Sequence, residues 1–242
     1  MDRLTLFRKI SERNRNWFPS YRPAHEIYID QLQRLSKPGC VVLHLGAGHD
    51  SLDIEKRMIN ARVVSMDIDW ESLSQNKNSM RVLADGNSLP FKGQSFDLVM
   101  AENVFEHLED PVSILRECYR CLVPSGAMIF LCPNRYSYIA LVARMTPHKF
   151  HQFFRRVTTG VAEGDTFPTY YRCNSPGTIR RIAEQVGFGV ETIKTFVGWP
   201  TYWEFSNVLH KCFVAVHKLI ERLPSSVHIS LVGVIRKPRA GC

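Results

Sequence analysis

The chain has 242 residues, enough for one large domain with a real core, and its 45% apolar and 22% charged residues are those of a globular protein. No run approaches the roughly 18 consecutive apolar residues of a membrane span, so any membrane contact would be peripheral, and seven cysteines without a framework spacing argue for a reducing, cytoplasmic setting rather than a disulfide-stapled fold. The net charge of +8 is uneven: residues 40–132 hold 8 basic against 13 acidic residues, residues 1–39 hold 8 against 4, and residues 133–242 hold 15 against 6.

Residues 1–39 read as an N-terminal helical cap. Arginines and apolar residues alternate over residues 3–10, a pattern shared by ordinary terminal helices, surface-binding helices and organellar presequences; Asp2 and Glu12 speak against the last. Residues 24–36 carry a helical pattern, and from there helical and strand patterns alternate, which predicts a parallel sheet covered by helices. Val41–Leu45 is a short, continuous apolar strand of the fully buried kind. The turn GAGHDS follows, with Asp50 or Ser51 placed to cap a helix through about Met58. Arg62–Met66 is the second strand, ending at Asp67; residues 70–78 a weaker helix; Arg81–Ala84 the third strand, ending at Asp85; Phe96–Ala101 the fourth. The helix through LRECYRCL sets Val112, Leu115, Cys118 and Leu122 on one face and stops at Pro124–Gly126, before a fifth strand at Ala127–Cys132.

The alternation lapses between residues 133 and 174, long for a connection and readable as a substrate-side insertion or lid. It resumes over 175–242, where SPGTIRRIAEQVGF supplies a capping serine, a proline at the first helical position, an apolar stripe at Ile179, Ile182, Ala183 and Val186, and Gly187 as the stop. A strand at Val190–Phe196, a helix at about Tyr202–Arg222 and a strand at Ile229–Ile235 complete a single domain.

A glycine turn at the carboxyl end of the first strand lets a ligand approach the backbone closely. A dinucleotide would want a third glycine where this chain has Ser51, and Asp50 and Asp53 beside the helix start would repel a pyrophosphate. A ligand with an adenosine end and a cationic end suits the acidic crevice better. Asp67, 21 residues beyond Gly46, is placed to accept ribose hydroxyl protons, and Asp85 to accept from an adenine amino group, with Leu89 and Phe91 covering the ring.

In order and spacing, LHLGAGHD, VVSMDID, LADGNSLPF, FDLVMAENVFEHLEDP and LRECYRCLVPSGAMIF resemble the class I S-adenosylmethionine-dependent methyltransferases, particularly the group with quinone and small-molecule methyltransferases. The resemblance covers residues 38–132 well and the later strands more loosely. It implies a doubly wound, seven-stranded, mostly parallel sheet with helices on both faces and its last strand antiparallel. S-adenosyl-L-methionine is the implied cofactor, its methionine end on the glycine turn, its ribose on Asp67 and its adenine on Asp85. The expected contacts are Gly46, Ala47, Gly48, Asp50, Asp67, Ile68, Asp85, Gly86, Asn87, Glu102 and Asn103. Two positions depart from the family: His44 stands where an acid usually opens the first motif, and Asp50 where a third glycine is common. His44 reads equally as a packed strand histidine, and Asp50 as a helix cap or as a substitute for the missing acid.

Methyl transfer to oxygen needs a positioned acceptor and a base. His107, after the fourth strand, is the candidate base or a structural element of its loop; His148 and His151 in the insertion are alternatives. Glu106 is similarly ambiguous. Aromatic and basic residues in the insertion suit an anionic or sugar-bearing acceptor, while Phe150, Phe153 and Phe154 equally fit the core stripe of a lid helix. CYRC lacks a second pair at zinc spacing, so no metal is assigned, and the basic flanks contain no nucleic-acid motif. The reading is O-methylation of a small-molecule, saccharide or lipid-linked acceptor. Its rivals are a noncatalytic protein of the same fold, favoured by His44, and a nicotinamide oxidoreductase, disfavoured by Ser51.

Overall fold

The computed structural model describes residues 22–50, 54–58, 60–137, 167–197, 219 and 228–239. The elements are α1 (Ala24–Leu35), β1 (Val41–Leu45), α2 (Ile54–Arg57), β2 (Arg62–Asp67), α3 (Trp70–Ser74), β3 (Met80–Leu83), β4 (Phe96–Glu102), a 3-10 turn (Phe105–His107), α4 (Pro111–Cys121), β5 (Leu122–Pro133), α5 (Pro176–Val186), β6 (Gly189–Phe196) and β7 (Ser230–Arg236). The helices expected over residues 3–10 and 202–222, and the histidines at 148 and 151, lie outside the described residues, apart from the exposed Leu219.

The strands form one seven-stranded sheet in the order β3-β2-β1-β4-β5-β7-β6. Only β7 runs antiparallel, inserted between β5 and β6. This is the expected architecture, including the antiparallel last strand. Alternation along each strand divides the core in two. On one face Leu43, Leu45, Val99, Ala101, Met128 and Phe130 pack with Ile114, Leu115 and Cys118 of α4 and Ile179 and Ile182 of α5. On the other, Val42, Leu98, Met100, Ile129 and Val232 pack with Tyr28 and Leu32 of α1 and Ile54 of α2. Because every internal strand is covered on both sides, β1 is buried almost along its length.

Local signals set the helix ends. The Asp69 carboxylate accepts the amides of Glu71 and Ser72 at the start of α3, Asp110 those of Val112 and Ser113 at α4, and the Ser175 hydroxyl that of Thr178 at α5. Gly187 closes α5 at φ +108°. Two expectations differ in extent. The helix expected over 70–78 ends at Ser74, because Asn76 and Asn78 turn their side chains to tertiary contacts: Asn76 Nδ2 donates to the Gly48 carbonyl at 2.8 Å, and Asn78 Nδ2 donates to Ser65 Oγ. β5 begins at Leu122 rather than Ala127; Pro124–Gly126 do not stop it but shift its register against β4, between Phe96 and Leu98. Among the described residues no helix is long and apolar enough to cross a membrane.

Candidate functional site

Strand order reverses at β1, with β2 on one side and β4 on the other, so the loops leaving β1 and β4 diverge and open a crevice at their carboxyl ends. Gly46 and Gly48 turn the chain there at φ +66° and +43°, in the left-handed region. A β-carbon on Gly46 would strike Val104 Cγ2, whereas one on Gly48 would meet nothing closer than 3.9 Å, at Asp67 Oδ2 and Ser72 Cβ. Gly46 is therefore required by packing against the loop after β4, and Gly48 by backbone conformation.

The turn is tied to β2 on both sides. The Ala47 amide donates to the Met66 carbonyl at 3.0 Å, the Gly48 amide donates to Asp67 Oδ2 at 2.7 Å, and Asp67 Oδ1 accepts the Asp69 amide at 2.9 Å. With two lone pairs per oxygen, the carboxylate keeps acceptor capacity for further hydroxyls. Asp50, at φ +51°, accepts the Ile54 amide on Oδ2 at 2.7 Å, the helix-cap role weighed for it. Ser51 and Asp53 lie outside the described residues.

His44, Gly46, Ala47, Gly48, His49, Asp50, Glu102 and Asn103 line one cavity of about 170 Å³. That is smaller than the usual drug-sized pocket. A larger cavity of about 350 Å³ opens at the opposite, amino end of the strands. Two of its charged side chains are already engaged: Asp97 accepts the Val41 amide, and Arg236 binds Glu191 and the Ser125 carbonyl. We assign it no role in the chemistry.

His44 answers one question left by the sequence. It is 4% exposed, and burial pushes its pKa down to about 4, so the ring is neutral at physiological pH and places no positive charge against a cationic ligand. Its Nδ1 is sealed from solvent without a hydrogen-bond partner. So is the hydroxyl of Tyr28, a fully buried residue of α1, whose pKa is raised by burial and then by the nearby charges of Glu102 and Asp50. His44 lines the cavity at the end of β1, and Tyr28 lies in the core within reach of the charges of Glu102 and Asp50, two of its lining residues. Sequence reading missed Tyr28 because it comes from the N-terminal helix, and its periodicity marks only a core position.

Toward the adenine end, Asp85 is exposed just beyond β3, its Oδ1 accepting the amide and side-chain nitrogen of Asn87. Ile68 and Leu83, 60% and 53% exposed at the ends of β2 and β3, offer the apolar surface there. Leu89 and Phe91 do not. Leu89 is buried in the core, and Phe91 packs edge-on against Phe96 at 4.9 Å, so neither offers the exposed cover expected of it. Gly86 packs near Leu45 and Ile114. Asn103 sits at φ +54° with its amide on the Leu131 carbonyl, and its Nδ2 donates to Glu102 Oε1 at 3.4 Å.

Beyond Asn103 the 3-10 turn presents two titratable neighbours. His107 Nδ1 lies 2.9 Å from the Pro168 carbonyl, which can only accept; in the neutral ring Nδ1 therefore carries the proton and Nε2 the lone pair. His107 Nε2 is 4.0 Å from Glu106 Oε1, and Phe167 packs edge-on to the ring at 6.0 Å. Glu106 is buried, its Oε2 is without a hydrogen-bond partner, and burial raises its pKa to about 7, aided by Glu102. Cys118 and Cys121 are buried on the sheet-facing side of α4, with the Cys118 thiol pushed up to about 12 by burial. Among the described residues no three His, Cys, Asp or Glu side chains group to hold a metal ion.

With this geometry in hand, similarity to known proteins is informative. A family profile described as a methyltransferase domain matches residues 43–130. The ubiquinone biosynthesis O-methyltransferase of Nitrosospira multiformis is 26% identical over 199 residues, covering 74% of this chain and 78% of that protein. Among solved structures, a SAM-dependent methyltransferase from Methanosarcina mazei superposes with a TM-score of 0.58 at 14% identity, over 86% of this chain and 97% of that one. The Haemonchus contortus phosphoethanolamine N-methyltransferase 2, in complex with phosphomonomethylethanolamine and S-adenosylhomocysteine, superposes with a TM-score of 0.59 at 16% identity, over 88% of this chain and 53% of that one.

Proposed function

Since this chain is a class I S-adenosylmethionine-dependent methyltransferase, we propose that it methylates a hydroxyl oxygen of a small-molecule acceptor, with His107 as the general base. The observation that carries this reading is the bond from His107 Nδ1 to the Pro168 carbonyl, which leaves Nε2 as a proton acceptor at the carboxyl edge of the sheet. The relative named as an O-methyltransferase supports oxygen as the atom methylated.

The residues present fit the cofactor. Gly46 and Gly48 open the backbone, Asp67 would accept from the ribose, Asp85, with Gly86 and Asn87 beside it, would accept from the adenine amino group, and Ile68 would flank the ring. Ala47, Asp50, Glu102, Asn103 and the neutral His44, which line the cavity at the end of β1, would hold the amino-acid end. When bound, S-adenosylmethionine supplies an electrophilic methyl group on a sulfonium sulfur. His107 Nε2 would take the proton of the acceptor hydroxyl as that oxygen is methylated, leaving the ring an imidazolium. Glu106, when ionised, offsets that imidazolium charge.

One sheet draws its strands from Val41 to Arg236, which supports a single domain over that span. All five described cysteines are free and buried, in keeping with the cytoplasm as the site of action. His107→Gln is expected to lower turnover at least 100-fold, within the range general-base catalysis contributes, while leaving S-adenosylhomocysteine affinity unchanged. Labelled methyl transfer to a panel of hydroxylated acceptors, read beside calorimetry, measures both. Undiminished turnover would return His107 to a structural role in its loop.

A further inference from the structure

We propose that the acceptor carries an oxyanion group on a flat apolar body, and that Arg135 and Arg172 recognise that charge; this deepens the methyl-transfer reading and rests on it for the position of the acceptor. Two segments meet at the carboxyl edge of the sheet. β5 ends beside β4, Glu102 pairing with Leu131, and the chain beyond it is held firmly. The Asn134 amide donates to the Ile229 carbonyl at 2.7 Å and its Nδ2 to the His228 carbonyl at 2.9 Å, and the Arg135 amide donates to the Asn174 carbonyl at 2.8 Å. The second segment, residues 167–174, starts against the His107 turn, where the Tyr170 and Tyr171 amides both donate to the Glu106 carbonyl, and ends at Asn174. It therefore bridges from the candidate base to Arg135.

This rim gathers exposed aromatic surface. Tyr136, Phe167 and Tyr170 are 46%, 46% and 39% exposed. The Arg135 guanidinium lies 5.3 Å from the Tyr136 ring centre, and that of Arg172 lies 5.3 Å from that of Tyr170. A guanidinium held over a ring still has N–H donors that can bind an oxyanion. Neither arginine has a carboxylate partner among the described residues, where the ion pairs are Arg22–Asp30, Arg120–Glu117, Arg236–Glu191 and His107–Glu106. Arg172 spends one N–H on the Glu109 carbonyl, and Arg135 Nε is buried with no hydrogen-bond partner. An unsatisfied donor on a cation calls for an acceptor that the described residues do not supply.

The electrostatics separate two ligands. Asp50 and Glu102 line the cavity at the end of β1, and Asp67 and Asp85 stand at the ends of β2 and β3, so that edge would repel an anion; the rim offers two cations beside aromatic rings. A neutral saccharide would use neither unpaired charge.

The test compares 3,4-dihydroxybenzoate with its methyl ester, identical in ring and hydroxyls, by calorimetric titration of protein saturated with S-adenosylhomocysteine. The proposal predicts that the acid binds at least tenfold tighter than the ester, that Arg135→Gln removes most of this preference, and that cofactor affinity is unchanged in that variant. Equal affinities, no binding of the acid, or a preference that survives in the Arg135→Gln, Arg172→Gln double variant would overturn it. The wild-type comparison needs no variant to fold. Labelled methyl transfer separates this proposal from the reading beneath it: tighter binding of the acid without methylation contradicts O-methylation alone, and methylation of both with equal affinity contradicts anion recognition alone.

Discussion

Asp67 has a structural role and, in the proposed function, a second one toward the ribose. Its oxygens accept the Gly48 and Asp69 amides while keeping lone pairs for ribose hydroxyls. Asp67→Ala should weaken S-adenosylhomocysteine binding by on the order of 1.5 to 3 kcal/mol, the worth of a charge-assisted hydrogen bond, or about 10- to 150-fold. Unchanged affinity would remove Asp67 from the ribose site. His44 and Glu106 make opposite demands on pH. Burial lowers the His44 pKa to about 4, so its contribution to stability is present above the unfolded value near 6.5 and is lost as the pH falls toward 4, by about 3 kcal/mol. Burial raises the Glu106 pKa to about 7, so its contribution is present below about 4.5 and is lost as the pH rises through 7, again by about 3 kcal/mol. Relative to wild type, His44→Gln should therefore gain stability as the pH falls from 6.5 to 4, and Glu106→Gln should gain as it rises from 4.5 to 7. Urea unfolding across that range tests both, and difference curves independent of pH would show that neither group is buried as described. The identity of His44 was plain in the sequence, but its neutrality was not, because the cause is three-dimensional: α1 and its neighbouring strands seal one face of β1.

At the scale of elements, β7 shows how tightly the sheet constrains single positions. A β-carbon on Gly233 would run into the Phe130 ring, and that ring cannot easily retreat because it stacks on Phe105 at 4.6 Å. Gly233→Ala should cost about 1 to 3 kcal/mol, as overpacking does, and Phe130→Leu should return part of that loss in the double variant. Strict additivity in urea unfolding would contradict the contact. Strand and helix positions were largely legible: β1 falls on its expected residues, and α5 has its serine cap, first-position proline and glycine stop. Boundaries failed where a side chain served a distant partner. Asn76, bound to the Gly48 carbonyl, follows the early end of α3, and nothing in residues 70–78 announces that bond. Pro124–Gly126 look like a helix stop, yet β5 continues through them because its backbone pairs with β4 through a shifted register. Leu89, expected over the adenine, is instead buried below the strand ends, since an apolar residue after an aspartate looks the same whether it faces ligand or core.

Over the whole molecule, charge follows function. The acidic excess of residues 40–132 lies in the segment that builds the glycine turn and the strand-end carboxylates, so the crevice attracts a sulfonium and an ammonium and disfavours a pyrophosphate. The cofactor was legible because the motifs that imply it stand at consecutive strand ends, in chain order. The acceptor was not, because the rim proposed for it is assembled from residues 107, 135 and 167–172, brought together by hydrogen bonds between loops. The most direct test of the central claim is calorimetric titration of the purified protein with S-adenosylhomocysteine, with NAD as the comparison and Gly46→Ala as the altered site. Saturable binding of S-adenosylhomocysteine, none of NAD, and a large loss in Gly46→Ala, where the new β-carbon meets Val104, are the predicted results. A folded protein that binds NAD instead, or binds S-adenosylhomocysteine equally well with Gly46 replaced, would contradict it.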